Sequence, residues 1–324
     1  MTNLSIDNAF NLEVAAKRVI TIKAPEDTLS LRELKNDKYL VIGSATNMIM
    51  DELYEGSIIK VSMDNIDQSS EGITSVGAGL SWEKLIGYCL ENKLFGIENL
   101  TLIPGLVGAA PVQNIGAFGV EVSSFVESVT CYNFATHQIE ILTKAECNFS
   151  YRKSIFQSKK YLILSVQFRF RKLFKPELSY LSLLNFLEKE NISHDEISPM
   201  QLSTSIQAIR ESSLPSPLDR PNVGSIFKNP IVSSNSIALD FLAGHRWELE
   251  NNQTKLSAAR LLETVMPSII IPSSLSFYEN HSLVLTNNGG AIFSEVTKLL
   301  KDIQDEVYNL YGIDIEIEPE IIGF

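Results

Sequence analysis

IPGLVGAAPVQNIGAFGVE, Ile103 to Glu121, is the least ordinary stretch of this 324-residue chain. It holds four glycines (Gly105, Gly108, Gly116, Gly119), three alanines (Ala109, Ala110, Ala117) and a single charge, at its end. Small residues let a backbone come close to a ligand, and turns with free N–H groups form concavities for anions, so a pyrophosphate-bearing cofactor fits here. Composition alone equally allows a tightly packed helix and turns with no ligand, because glycine-rich matches are common. A second polar turn, Gly43-Ser44-Ala45-Thr46-Asn47, follows a strand. Neither stretch reads G-x-G-x-x-G, so a Rossmann nucleotide fold is not supported.

On the N-terminal side the chain reads as small α/β units. Val19 to Ile22 is a strand, Pro25 to Leu34 a helix, and Tyr39 to Ile42 and Ser57 to Val61 further strands. A strand between Gly72 and Gly79 leads to Ser81, which caps a helix with Leu85, Ile86, Cys89 and Leu90 on one face. From Val129 to Phe170 the texture is that of antiparallel strands. In Leu162 to Phe170, the apolar Leu164, Val166, Phe168 and Phe170 alternate with Ser165, Gln167 and Arg169, which predicts one core face and one wet face. Ser198, Pro199 and Gln201 form an N-cap, an N1 proline and a capping-box partner for a helix to about Glu211. The Pro215, Pro217 and Pro221 cluster then marks a linker.

Beyond the linker, Gly224 to Asn229 reads as a strand end, Ile237 to Ala243 and Ser257 to Thr264 as helical, and Leu283 to Leu285 as a short strand. A long helix capped by Ser294 carries Val296, Leu299, Leu300, Ile303, Val307 and Leu310 on one face, and Asp314 to Glu318 reads as the last strand.

Composition narrows the function classes. A chain of this length exceeds what a single core usually serves, so two or three modules are expected. No apolar run approaches the roughly 18 residues of a membrane span. The start lacks a basic segment followed by an apolar one, so a cytoplasmic location is expected. The formal charge of −12, with no basic cluster in the sequence, argues against a nucleic-acid partner. Cys89, Cys131 and Cys147 form no CxxC pair, and His137, His194, His245 and His281 have no ligand spacing, so no metal site is expected.

Four motifs occur in order: Gly96-Ile97-Glu98-Asn99-Leu100 running into the glycine-rich stretch, Tyr151-Arg152-Lys153-Ser154-Ile155-Phe156, Gly224-Ser225-Ile226-Phe227-Lys228-Asn229-Pro230, and Glu318-Pro319-Glu320. Their order and spacing resemble the UDP-N-acetylenolpyruvoylglucosamine reductase family, from about Asn8 to the C-terminus, and its longer, first subtype. The resemblance implies an α+β architecture: an FAD-binding domain of the vanillyl-alcohol-oxidase type, made of two α/β subdomains, plus an α+β substrate-binding C-terminal domain. The modules expected are 1–63 and 64–216 for FAD, 217–312 for substrate, and a terminal strand, 313–324, returning to the active site.

The implied reaction takes hydride from NADPH to non-covalent FAD, then from flavin N5 to C3 of the enolpyruvyl group, with protonation at C2. The product is UDP-N-acetylmuramate, a peptidoglycan precursor. Negative charge builds on the enolate, and a fixed guanidinium would stabilise it. Arg152 matches the family position for that task, Ser225 the proton donor, and Glu320 a carboxylate that assists at the enolpyruvyl group. Taken singly, each reads as an ordinary surface or turn residue.

For FAD the resemblance implies Gly43, Ser44, Ala45, Thr46, Asn47, Gly105, Gly108, Ala109, Ala110, Asn114, Gly116 and Ala117, with Arg210 beside the flavin. For the UDP-sugar it implies Tyr180, which closes over the ligand, with Asn229 and Lys255 toward the diphosphate. A monomer with no membrane partner is expected.

Departures from the family pattern concentrate around this centre. Ala45 and Thr46 stand where a glycine and a serine are usual, and an alanine there is costly if φ is positive. Ser213 replaces a lysine, the loop IPSSLSFYENH from Ile271 to His281 replaces a glycine-rich one, and the chain ends Glu320-Ile321-Ile322-Gly323. Two further readings therefore stay open: an FAD oxidase or dehydrogenase of the same fold acting on another small alcohol or sugar, and a homologue that binds flavin or nucleotide without turnover.

Overall fold

The computed structural model describes residues 4–34, 37–69, 72–234, 244–249 and 251–323. The chain divides into two compact units: Met1–Leu4, Ala16–Ser44 and Glu55–Glu211 form the first, and Ser5–Ala15, Ala45–Tyr54 and Ser212–Phe324 the second. The division does not separate residues 1–63 from 64–216.

The first unit centres on a five-stranded antiparallel sheet in the order Gln138–Thr143, Val126–Asn133, Tyr161–Arg169, Ile73–Gly77, Ile66–Gln68. The wet face expected for the Tyr161–Arg169 strand is absent over its first half. Leu162 and Leu164 pack with Ile20, Ile22, Leu31, Leu34 and Ile59, while Ile163, Val166 and Phe168 pack with Trp82, Leu85, Val107 and Val129. Two apolar layers thus sandwich the sheet. The parity switch after Leu164 has a local cause. Thr130 faces Ser165 and Cys131 faces Ile163, so Leu164 is the extra residue of a bulge, which sends the next side chains to the opposite face.

Helix α1, Trp82–Glu91, begins at Ser81, whose Oγ accepts from Lys84 N–H. Pro25–Leu34 is a 3-10 helix, where an ordinary helix was expected. Asp27 Oδ2 accepts from the Lys23 and Ala24 N–H groups, and Thr28 and Ser30 hydroxyls donate three residues back, to Pro25 and Asp27 carbonyls, which favours the tighter turn. A small helical cluster joins α2, Leu181–Lys189, to α3, Pro199–Ser213, through Leu183, Leu187, Leu202 and Ile206. At the start of α3, Ser198 N–H donates to Gln201 Oε1 (3.0 Å) and Gln201 N–H to Ser198 Oγ (3.2 Å), the reciprocal capping box.

The second unit has two three-stranded sheets. One runs Asn222–Ser225, His281–Asn287, Leu275–Tyr278, and the other Ile231–Ser233, Gln253–Leu256, Arg246–Leu249. The divergent loop from Ile271 therefore contains an edge strand. Helices α4, Ala258–Val265, and α5, Phe293–Tyr311, complete the unit, joined by Tyr311 Oη donating to Thr264 Oγ1 at 3.0 Å.

Three expectations are corrected here. Helix α5 starts one residue before Ser294, with Ile292 at its cap, so the serine hydroxyl lies inside the first turn. Leu310 is exposed, at the frayed outer side of the last turn. Asp314–Glu318 makes only the isolated bridge Phe227–Ile317, and the terminal strand is Glu320–Ile322, paired in parallel with Met48–Met50. Pro319 interrupts the backbone donors between the two. The helix expected over Ile237 to Ala243 lies outside the described residues.

Candidate active site

In the first unit, the glycine-rich stretch forms a 3-10 turn, Val107–Ala109, and a tight hairpin, Gly116–Ala117 with Val120–Glu121. Gly108 is required by packing: a Cβ there would lie 2.6 Å from Ala78 Cβ, while Gly108 N–H donates to Ala78 O at 2.9 Å. Gly43 comes against Ala109, 3.7 Å from its ideal Cβ position to the alanine Cβ, so the two small-residue turns meet without side chains between them. Gly105 has φ +122°, and its carbonyl accepts the N–H of Trp82 at the head of α1.

Arg152 occupies the left-handed region, φ +54°, in a turn closed by Ser150 and Lys153. Its Nη2 donates to Gly116 O at 2.7 Å and its guanidinium lies 5.1 Å over the Tyr151 ring. Asn114, buried and also left-handed, donates to Glu121 Oε2 (2.9 Å) and Ser150 O (3.1 Å) and accepts from Ser123 N–H. Ala117 sits in the hairpin beside Phe118, whose ring meets Tyr180 edge-on at 5.3 Å. Tyr180 is 45% exposed at the cap of α2. Arg210, near the end of α3, has a buried Nε with no hydrogen-bond partner, and burial pulls its guanidinium down to about 10. A desolvated cation without a counter-ion is costly unless an anion or polar ring edge meets it.

Sequence reading passed over Asn99 and Glu98 as functional candidates, although both lie in the quoted GIENL motif. Buried Asn99 donates to Phe118 O at 2.9 Å and to Glu177 O at 2.8 Å, tying the hairpin to the segment before Tyr180. Glu98 Oε2 accepts from Gly96 N–H at 2.8 Å, and burial pushes its carboxyl above the usual range. Their only signal was polarity inside an otherwise apolar stretch.

In the second unit, Ser225 follows Gly224, φ +74°, at a register shift between Asn222 and Ser225, a bulge that re-aims the serine. Asn222 Oδ1 accepts from Gly224 N–H, while its Nδ2 donates to Pro215 and Arg220 carbonyls, so the linker and the bulge share one buried anchor. Next along, Ile226 to Lys228 lies antiparallel to Glu316 to Glu318: Lys228 N–H donates to Glu316 O and Glu318 N–H to Ile226 O, each 2.9 Å. That pairing carries Glu320 alongside the serine strand. Glu320 N–H donates to Asn47 O at 2.9 Å, and Asn47 Nδ2 donates to Glu318 O at 3.4 Å. Ser225, Glu320 and the end of the GSATN turn are thus joined by backbone bonds within this unit. Ala45 is left-handed, φ +48°, and buried, the conformation in which its Cβ is a cost. Thr46 lies between Ala45 and Asn47 in the same turn.

Asn229 Oδ1 accepts from Ala258 N–H, capping α4, and Lys255 Nζ lies 5.4 Å over the Trp247 ring on the neighbouring strand. Ile231 and Trp247 flank Lys255 across the sheet, so Asn229 and Lys255 lie at one end of the same structure. Elsewhere, the three cysteines are buried; burial pushes the Cys131 and Cys147 thiols up to about 12 and raises Cys89 further, which leaves no ready thiolate. Among the described residues no group of three His, Cys, Asp or Glu could hold a metal, and no helix is long and apolar enough to cross a membrane.

An α+β chain with two glycine-poised turns, a desolvated arginine and a serine beside a carboxylate belongs among the flavin-binding folds. Residues 19–141 match the family of the FAD binding domain, and residues 216–322 that of the UDP-N-acetylenolpyruvoylglucosamine reductase C-terminal domain. The reductase of that name from Flavobacterium johnsoniae is 33% identical over 97% of this chain and 96% of its own. The one from Photorhabdus laumondii is 34% identical over 100% and 96% respectively. The chain belongs to the UDP-N-acetylenolpyruvoylglucosamine reductase family. The crystal structure of the Thermus caldophilus UDP-N-acetylenolpyruvylglucosamine reductase shares the fold, with a TM-score of 0.68 at 20% identity, covering 98% of this chain and 96% of that one.

Proposed function

We propose that this chain is an FAD-dependent, NADPH-using reductase that converts UDP-N-acetylenolpyruvoylglucosamine to UDP-N-acetylmuramate, acting as a cytoplasmic monomer in peptidoglycan precursor synthesis. Relatedness along the whole chain to reductases of that name carries the reading. The residues fit the cofactor: small side chains where the two turns meet, and a buried arginine Nε with no protein partner. Gly43, Ser44, Ala45, Thr46 and Asn47, together with Gly105, Gly108, Ala109, Ala110, Gly116 and Ala117, would line it, with Arg210 offering its cation to the flavin. Asn114 supports that lining. Bound FAD supplies the hydride, received from NADPH.

The chain's own residues do the rest. Arg152 holds a permanent positive charge toward the substrate carboxylate and the enolate that develops from it, orientation already spent on folding. Ser225 delivers the proton to C2; a serine is a weak acid, so it acts through a relay rather than by its own acidity. Glu320 polarises the enolpyruvyl group toward protonation. Tyr180 covers the UDP-sugar, and Asn229 and Lys255 bind its diphosphate, lysine as a point charge. Modules 1–63 and 64–216 serve FAD and 217–312 the substrate, with the terminal strand returning Glu320.

Anaerobic titration tests the reading. Purified protein should be yellow, NADPH should bleach it, and the UDP-enolpyruvyl sugar should restore the colour. A colourless protein that takes up no FAD contradicts it outright.

A further inference from the structure

We infer that Asn114 is a positioning residue for Arg152: through the Ser150 carbonyl and the Glu121 carboxylate it holds the Arg152 turn against the glycine hairpin. The inference rests on the reading of Arg152 as the cation that stabilises the enolate. Asn114 is 1% exposed, and each polar atom of its amide is engaged. Oδ1 accepts from Ser123 N–H (3.1 Å), while Nδ2 donates to Glu121 Oε2 (2.9 Å) and Ser150 O (3.1 Å). An amide nitrogen has two donors, and both are used. None remains for a cofactor, so the contribution of this side chain runs through what it holds.

What it holds is the start of the Arg152 turn. Ser150 and Lys153 exchange two backbone bonds, of 3.1 and 3.0 Å, around Tyr151 and Arg152. The far end is tied to the same segment, because Ser154 Oγ donates to Val112 O at 2.7 Å. Val112 and Asn114 therefore grip the turn on both sides of a left-handed arginine, a conformation that costs energy and persists only when its surroundings determine it. The guanidinium then reaches Gly116 O at 2.7 Å. A Cβ on Gly116 would lie 3.0 Å from Glu121 Cγ and 3.1 Å from Arg152 Nη1, so carboxylate and guanidinium pack over the same glycine. The neutral donor from Asn114 keeps one oxygen of that carboxylate occupied, limiting its pull on the cation.

The test is a near-isosteric pair, Asn114→Asp with Glu121→Gln. The introduced glutamine amide can donate to the introduced aspartate, Ser123 N–H keeps its acceptor, and only the donation to Ser150 is lost. In stopped-flow half-reactions on the FAD-loaded protein, the pair should retain flavin and NADPH reduction. Reoxidation by the UDP-enolpyruvyl sugar should fall on the order of 10²-fold, the cost of a small misplacement. Adding Arg152→Ala to the pair should slow reoxidation no further than Arg152→Ala alone. Unchanged reoxidation, additive losses, or a variant that unfolds or loses FAD would each overturn the inference. If Arg152→Ala by itself leaves reoxidation intact, the reading of Arg152 fails, and this inference with it.

Discussion

Ser225 owes its place to a glycine and an asparagine rather than to its own side chain. Gly224 supplies the positive φ and Asn222 the anchor, so the hydroxyl is aimed by a bulge that no periodicity in the sequence announces. Ser225→Ala should leave flavin reduction by NADPH intact and slow substrate reoxidation by about 10²- to 10⁴-fold, the range for loss of a general acid. Equal slowing of both half-reactions in stopped flow would remove the proton-donor role. Glu98 makes a different prediction. Burial raises its carboxyl above the unfolded value, so the folded state holds the proton more tightly. Stability is then greatest below the unfolded pKa and declines as pH rises through the folded one. Urea unfolding at stepped pH should show that decline, and Glu98→Gln, which still accepts from Gly96 N–H, should flatten it. An unchanged slope in the variant would assign the decline to another group. The positive φ that would make Ala45 costly was a question the sequence could pose, and the backbone answers it at +48°. Asn114, by contrast, reads as a member of a cofactor loop in sequence; only its three bonds tie it to the Arg152 turn.

Helix starts with paired local chemistry were legible: Ser81 before α1, and Ser198 with Gln201 before α3. Replacing Ser198 with Ala should cost about 1 kcal/mol in chemical denaturation, as N-cap losses do, and a neutral result would assign the helix start to tertiary packing instead. Ser294 failed as a cap because a lone serine near an apolar run leaves the start undefined by a residue. The Tyr161–Arg169 strand misled more instructively. Its alternation was real, but one extra residue at Leu164 switched the faces and layers on both sides hid them, neither of which the strand's own pattern encodes. Gly108 lies where a sequence reader looks for a ligand, yet Ala78 fills the space first. Gly108→Ala should destabilise by about 1–3 kcal/mol through overpacking, read as a shift in the urea midpoint with an unchanged slope. A variant as stable as the parent would mean the space is open.

The ordered motifs gave the family before any coordinate did, because chemistry-bearing residues fall at fixed places in a long chain. Their grouping was not legible. Ser225, Glu320 and Asn47 are joined by main-chain bonds of segments far apart in sequence, which no local pattern records. The departures at Ala45, Ser213 and the Leu275–Tyr278 strand surround that centre without removing any of the three residues assigned to its chemistry. The central claim is therefore that the enolpyruvyl ether is the acceptor. The most direct measurement is anaerobic reoxidation of the NADPH-bleached protein by the UDP-enolpyruvyl sugar, set beside UDP-N-acetylglucosamine, which lacks the ether. Full return of flavin colour, one equivalent per flavin, is predicted with the ether alone. A protein that stays bleached with the ether, or regains colour equally with both sugars, would contradict it.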